Sequence, residues 1–302
     1  QADLFVVYLG NNEVFGPFGP GTIFQQETPN LSLIRAILWT KSTRVGQLFE
    51  RAIARLRPNT KTPTSWRGME MFVNNQIAAD DPRLQQVYNN LGQNLIDICG
   101  AARRAGVPVV LATVAVNLAD CPPLASMHRA DLSEAELKRW EAFYSAGVAL
   151  ETDRRVAEAA RQYEAAAAID GGFADLAFRM GRCFAAAGRF PQALEWFVRA
   201  RDLDALRFRA DTRINATIRD VATKLAGDDV QLVDAERALA ASPLAEGGIP
   251  GKKLFYEHVH LTFDGNYELA RAMLDPIGRL LPAWVRGRGT GVVATRVECA
   301  TA

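Results

Sequence analysis

Long apolar runs are missing from this chain. The longest, Val107 to Val116, reaches about ten residues, where a bilayer-spanning helix needs roughly 20. Charge of one sign is missing as well. Lys+Arg number 35 and Asp+Glu 34, a net charge of +1, with no clustered basic face of the kind that grips nucleic acid. Cysteine is scarce: Cys99, Cys121, Cys183 and Cys299. None forms a C-x-x-C pair or a zinc-like spacing with histidine, so they read as buried thiols and fix no redox compartment. No Gly-x-Ser-x-Gly elbow occurs, and no glycine-rich phosphate loop follows a strand, which disfavours a nucleotide binder.

What is present suits a globular protein. Of 302 residues, 49% are hydrophobic and 23% charged, enough for one large or two modest domains with proper cores. Leu4–Leu9 is a short apolar run ending in Gly10-Asn11-Asn12, the pattern of a buried parallel strand. A Gly/Pro-rich loop, 16–21, follows. Helical periodicity runs from Leu31 to Leu56, through Leu33, Ile34, Ile37, Leu38, Val45, Leu48, Phe49 and Ile53, with Asn30 as N-cap and Pro58 as stop. Residues 66–77 are ambiguous. Asp81-Pro82 opens a helix to about Ala105, with Leu84, Val87, Leu91, Leu95 and Ile98 on one face. After Gly106 comes a second strand, Val107–Val114, which makes a βα-type alternation. A helix is expected over Arg207–Leu225, a third strand at Val230–Asp234, a flexible loop at 243–253, and a last amphipathic helix over Asp264–Leu281 capped by Asp264. The end of the chain, from Arg286, lacks periodicity and is expected to be disordered.

Between the second and third strands the composition shifts to Ala, Arg and Glu, and a period of 34 residues emerges. Gly147 recurs as Gly181, Ala159 as Ala193, Tyr163 as Phe197, Ala166 as Ala200, and Asp170 as Asp204. Small residues let paired helices approach, and the aromatic fills the space between pairs. This resembles the tetratricopeptide repeat, except that Gly171 and Ala205 stand where that family usually ends a copy with Pro. A partner-binding groove is the functional reading and a packing insert the structural one. Two copies are fewer than the three or so that solenoids need to stand alone, which favours the insert, with the helix from Arg207 covering its open end.

Two segments carry chemistry. An Asn at the carboxyl end of a parallel strand faces the crevice where α/β proteins bind ligands. There its amide can donate to an oxyanion. Asn12, after Gly10 and Asn11 and before Glu13, has that place. A His just before a final helix, with a carboxylate three residues earlier, can serve as an oriented general base. His260 and Glu257 have that spacing. His258 and His260 would face one side of an extended segment, so a metal site is the minor alternative. Ser126, two residues before His128, is a weak candidate nucleophile, and like every other serine here it lacks a strand-to-helix context.

Together the two segments resemble the SGNH/GDSL family of serine ester hydrolases. Its third block reads Gly-x-Asn-Asp after a strand, and Gly10-Asn11-Asn12-Glu13 fits it with Glu for Asp. Its fifth reads Asp-x-x-His before the last helix, and Glu257-His258-Val259-His260 fits with the same exchange. The resemblance implies Asn12 as oxyanion donor, His260 as general base and Glu257 as its orienting acid. It implies no metal and no organic cofactor, and an acylated small molecule or glycan as substrate. The family's Gly-Asp-Ser nucleophile block and its oxyanion Gly have no counterpart here. The chain opens on Gln1 and enters a strand almost at once, so it is expected to continue upstream, with the serine and any targeting segment there, and to be inactive alone.

The resemblance implies an α/β, three-layer flavodoxin-like parallel sheet, incomplete at its N-terminal side, with an all-α tetratricopeptide-like insertion. The expected division is 1–133 plus 206–282 for the hydrolase-like domain, 134–205 for the insertion and 283–302 for the tail. A protein partner on the repeat is the further expectation. The rival reading is a non-catalytic interaction scaffold on a degenerate hydrolase domain.

Overall fold

Three short strands form one parallel sheet in the computed structural model, which describes residues 2–23, 30–56, 69–227, 229–288 and 292–301. β1 (Phe5–Tyr8), β2 (Val109–Ala112) and β3 (Val230–Val233) lie in the order β1-β2-β3. Phe5 pairs with Val109 and Tyr8 with Ala112, then Val109 with Val230 and Ala112 with Val233. Every residue of β2 is buried, as a central parallel strand covered on both faces requires. Its side chains alternate between two cores. Val109 and Leu111 join a large cluster with Leu84, Leu91 and Leu95, while Val110 and Ala112 join a smaller one with Leu239, Phe255 and Leu269. The protein is thus mixed α/β and mostly helical.

The helices explain both cores. α1 (Leu31–Ser42) and α2 (Arg44–Leu56) come first, then α3 (Arg83–Arg104). The single helix expected over 31–56 is broken at Thr43, whose backbone is extended and whose hydroxyl accepts from Gly46 N at 3.0 Å. A hydroxyl that caps a new helix competes with continuation of the old one. Asn30 caps α1 as expected, accepting from Leu33 N at 2.9 Å, and Pro58 lies outside the described residues. Of the apolar face read over 31–56, Ile34 is buried, while Leu38, Leu48 and Phe49 are exposed. On α3 the expected stripe is buried except Ile98, and Cys99 takes the place beside it.

Four helices occupy the block with the 34-residue period: α4 (Glu134–Thr152), α5 (Val156–Ile169), α6 (Ala174–Ala186) and α7 (Phe190–Leu203). Ser133 and Glu136 form a capping box at the start of α4, which satisfies two of its orphan N–H groups. α4 pairs with α5 and α6 with α7. A Cβ on Gly181 would stand 2.8 Å from the Phe197 ring, and one on Gly147 would collide with Tyr163. The recurring Gly and aromatic are therefore partners in space. Ala159, Ala166, Ala193 and Ala200 are buried with them. This block and one face of the sheet share a single continuous core.

α8 (Thr212–Lys224) begins five residues later than expected, capped by Asp211, which accepts from Ile214 N at 2.8 Å. Residues 205–210 are instead buried irregular chain. α9 (Ala235–Ala240) and α10 (Phe263–Leu280) pack beside β3 on the side of the smaller core. Thr262, not Asp264, caps α10, accepting from Gly265 N at 3.0 Å. Two short helices, α11 (Ala283–Arg286) and α12 (Arg296–Thr301), follow. No helix among the described residues is long and apolar enough to cross a membrane.

A buried ion pair ties the helical block to the sheet. Asp204 accepts from Arg209 Nη2 at 3.0 Å, and also from the backbone N–H groups of Leu124 and Ala125, each at 3.0 Å, and Leu206 at 3.1 Å. Arg209 Nη1 donates to the carbonyls of Asn117 at 3.0 Å and Cys121 at 2.9 Å. Both side chains are almost wholly buried. Removing one partner strands the other charge away from water, so Asp204→Ala is expected to destabilise the fold by about 3–5 kcal/mol. Denaturant unfolding with an unchanged m-value checks this, and Asp204→Asn, which keeps an acceptor, should lose less.

Candidate active site

Carboxyl ends of parallel strands gather the candidate groups. β1 runs into Gly10, whose φ of 148° favours glycine. Space imposes the same choice, since a Cβ there would lie 2.7 Å from Ile214. Asn11 fixes the turn, its Oδ1 accepting from Ala210 N at 3.0 Å. Asn12 is exposed, its carbonyl accepting from Gly16 N at 2.6 Å, and its amide has no protein partner among the described residues. The resemblance singles out Asn12, and the structure assigns the anchoring to Asn11 and leaves Asn12 free. Glu13 is half-buried, and burial pushes its carboxyl above the usual range.

The other segment is a closed loop. Phe255 and Leu261 form an antiparallel bridge, and Tyr256 N donates to His260 O at 2.8 Å. Inside it, Glu257 accepts from Val259 N and His260 N, each at 3.1 Å, and from Nδ1 of both His258 and His260. Burial opposes the charge on Glu257, but the His260 hydrogen bond, the Val259 N–H and the nearby His258 outweigh it and hold the carboxyl below its usual range. The two histidines differ in surroundings. His258 has 15% of its side chain exposed and His260 has 78%. Nδ1 of His260 faces the carboxylate, which leaves Nε2 as the nitrogen open to a reacting group.

Asn117, not singled out from the sequence, positions this loop. It follows β2 and is buried. Its Nδ2 donates to Glu257 O at 2.9 Å and its N–H to His258 O at 3.0 Å, while its Oδ1 accepts from Asp120 N at 2.9 Å. The only hint in the sequence is a polar residue directly after a buried apolar strand. Because β1 and β2 are parallel, the turn after β1 and the loop clasped after β2 lie at the same end of the sheet. Asn12, Glu257, His258 and His260 therefore share that end.

Ser126 and His128 are bound elsewhere. Ser126 Oγ accepts from Asp175 N at 2.9 Å, and His128 Nδ1 pairs with Asp170 at 2.8 Å. No group of three or more His, Cys, Asp or Glu side chains among the described residues is placed to hold a metal ion. Cys99, Cys121 and Cys183 are free and buried, and Cys299 is free and exposed. The arrangement can take a proton at His260 and hold the resulting imidazolium against Glu257.

His258 generates a pH prediction. Burial pushes its imidazole below the ordinary value; Glu257 pulls it up, while Arg209 and His260 add to the depression. The unfolded chain takes its proton near about 6.5, the folded chain only at lower pH. Between those values unfolding binds a proton, so stability falls as pH drops below about 6.5. His258→Gln should flatten that slope, and NMR titration should place the His258 imidazole below its ordinary value. A His258 titrating at or above that value contradicts this account.

No family model matches the chain, and neither a curated protein nor a solved structure matches it.

Proposed function

We propose that this chain carries the base half of a serine ester hydrolase site, and that the serine is supplied by an upstream part of a longer protein. The observation that carries the reading is the Glu257–His260 pair at the same end of a parallel sheet as Asn12. In the proposed reaction Nε2 of His260 removes the serine hydroxyl proton as the oxygen attacks the ester carbonyl. Glu257 stabilises the imidazolium, and the free Asn12 amide donates to the oxyanion, an effect worth about 2.7–4 kcal/mol in serine hydrolases. The proton then passes to the departing alcohol. Water, activated by the same histidine, releases the acid and restores the serine. The substrate is an acylated small molecule or glycan, and no metal or organic cofactor enters.

The finer architecture belongs to the same proposal: a three-layer flavodoxin-like domain extended by further strands, interrupted by a tetratricopeptide-like insertion. Helices on both faces of the sheet support the first part. The Gly147–Tyr163 and Gly181–Phe197 contacts support the second.

In the longer protein His260→Ala should lower kcat for p-nitrophenyl acetate by at least about 100-fold, and Asn12→Ala by about 100- to 1,000-fold. The 302 residues alone should not exceed the buffer rate. Asn12-dependent turnover by these residues alone would refute the missing serine. A longer protein without esterase activity, or insensitive to His260→Ala, would leave the interaction scaffold as the better reading.

A further inference from the structure

A cleft of about 360 Å³ opens between the second helix pair and the loop before Phe255, at the small end of the roughly 300–1,000 Å³ usual for small-molecule sites. Arg182, Phe190 and Phe197 belong to its helical wall, and Asp120 with residues 244–253 forms the other. The walls are fitted to one another. Gly247 has a φ of 60°, and a Cβ on it would collide with the Phe190 ring. The cleft is also joined to the histidine loop. Leu118 N and Ala119 N donate to Pro250 O at 2.9 and 3.1 Å. Ala119 lines the cleft two residues after Asn117, which clasps Glu257 and His258. Two residues span at most about 7 Å, so this edge of the cleft lies next to the residue that clasps the histidine loop.

Its chemistry is specific. Five of the twelve lining residues are charged, too many for a cleft that would hold an acyl chain alone. Asp120 is engaged already, accepting from Lys252 N at 2.7 Å, and Arg182 lies 3.2 Å from Glu151. Lys252 and Lys253 are exposed and have no carboxylate partner among the described residues, and Glu246 is exposed on the same loop. Two ammonium groups suit an anion, one carboxylate suits hydroxyl donors, and Phe190 offers an apolar surface for C–H groups.

We propose that this cleft binds the anionic, polyhydroxylated part of the substrate: a sugar bearing a carboxylate or a phosphate. The inference rests on the ester hydrolase reading and gives the helical insertion a task, as the second wall of the substrate site.

The 302-residue protein tests it directly, by NMR titration with glucuronic acid, glucose 6-phosphate and, as the neutral control, glucose. At least one anionic sugar should bind about 10-fold more tightly than glucose, shifting the amides of Gly247, Lys252 and Lys253. The double variant Lys252→Ala/Lys253→Ala should abolish that preference. Which anion is preferred separates carboxylate from phosphate. Equal binding of all three sugars, shifts confined to other regions, or a preference that survives the double variant would overturn the proposal. Binding needs no serine, so the two readings fail separately. Anion preference without ester hydrolysis in the longer protein would remove the reaction and leave the cleft. Hydrolysis without anion preference would do the reverse.

Discussion

Asp204 and Arg209 form the contact on which the geometry of the candidate site depends. A carboxylate and a guanidinium withdrawn from water are unfavourable unless nearly every lone pair and N–H is satisfied. Here the satisfying groups are mainly backbone, with Arg209 Nε alone of the pair left buried without a partner among the described residues. Asp204 gathers three N–H groups, and Arg209 gathers the carbonyls of Asn117 and Cys121. The pair therefore fixes the path of the chain leaving β2. Asn117 on that path then holds the backbone of Glu257 and His258. A demand for electrostatic satisfaction at the end of α7 is passed, bond by bond, to the histidine loop. The period of 34 residues repeats the device. Asp170, one repeat before Asp204, is also buried and holds His128 and Gly172 N.

Glu257 faces a different problem, because one carboxylate serves two imidazoles. Its oxygens are divided, Oε2 toward His258 and Oε1 toward His260. His258 is enclosed near the Arg209 charge, which together with burial keeps it neutral. A neutral His258 leaves the carboxylate's charge available to His260, which is open to solvent. Burial thus separates two residues of one type, one and three positions after their shared carboxylate, into an enclosed imidazole and an open one.

What the sequence discloses is what local patterns encode. An apolar run between turn residues announces each strand, and the Gly–aromatic offset announces a contact that Gly181 and Phe197 make. The spacing of Glu257 and His260 is short enough that their contact is nearly a local property. Asn117, Asp204 and Arg209 are different. Each acts on backbone far away in the chain, and a polar residue in a loop has no periodicity to betray its partners. The helix break at Thr43 and the late start of α8 are hidden for a related reason. Each turns on whether one side chain prefers a cap to a continued helix, a competition decided by a few tenths to about 2 kcal/mol. Asn12 and Asn11 show the limit most sharply, since adjacent residues of one type are told apart only by which amide meets Ala210 N.

The long excursion between β2 and β3 also bears on how the sheet is assembled. These neighbouring strands are separated by residues 113–229, and closing so long a loop in a disordered chain is slow. The excursion, however, is mostly helix pairs whose contacts are local, and such units form early. Once folded, the excursion is a compact spacer whose ends lie one strand length apart, about 13 Å, since the chain leaves β2 at Thr113 and returns at Asp229, whose carbonyl accepts from Val109 N at 2.8 Å. The helix pairs then narrow the search: an encounter between strands far apart in the chain becomes one across a single strand length.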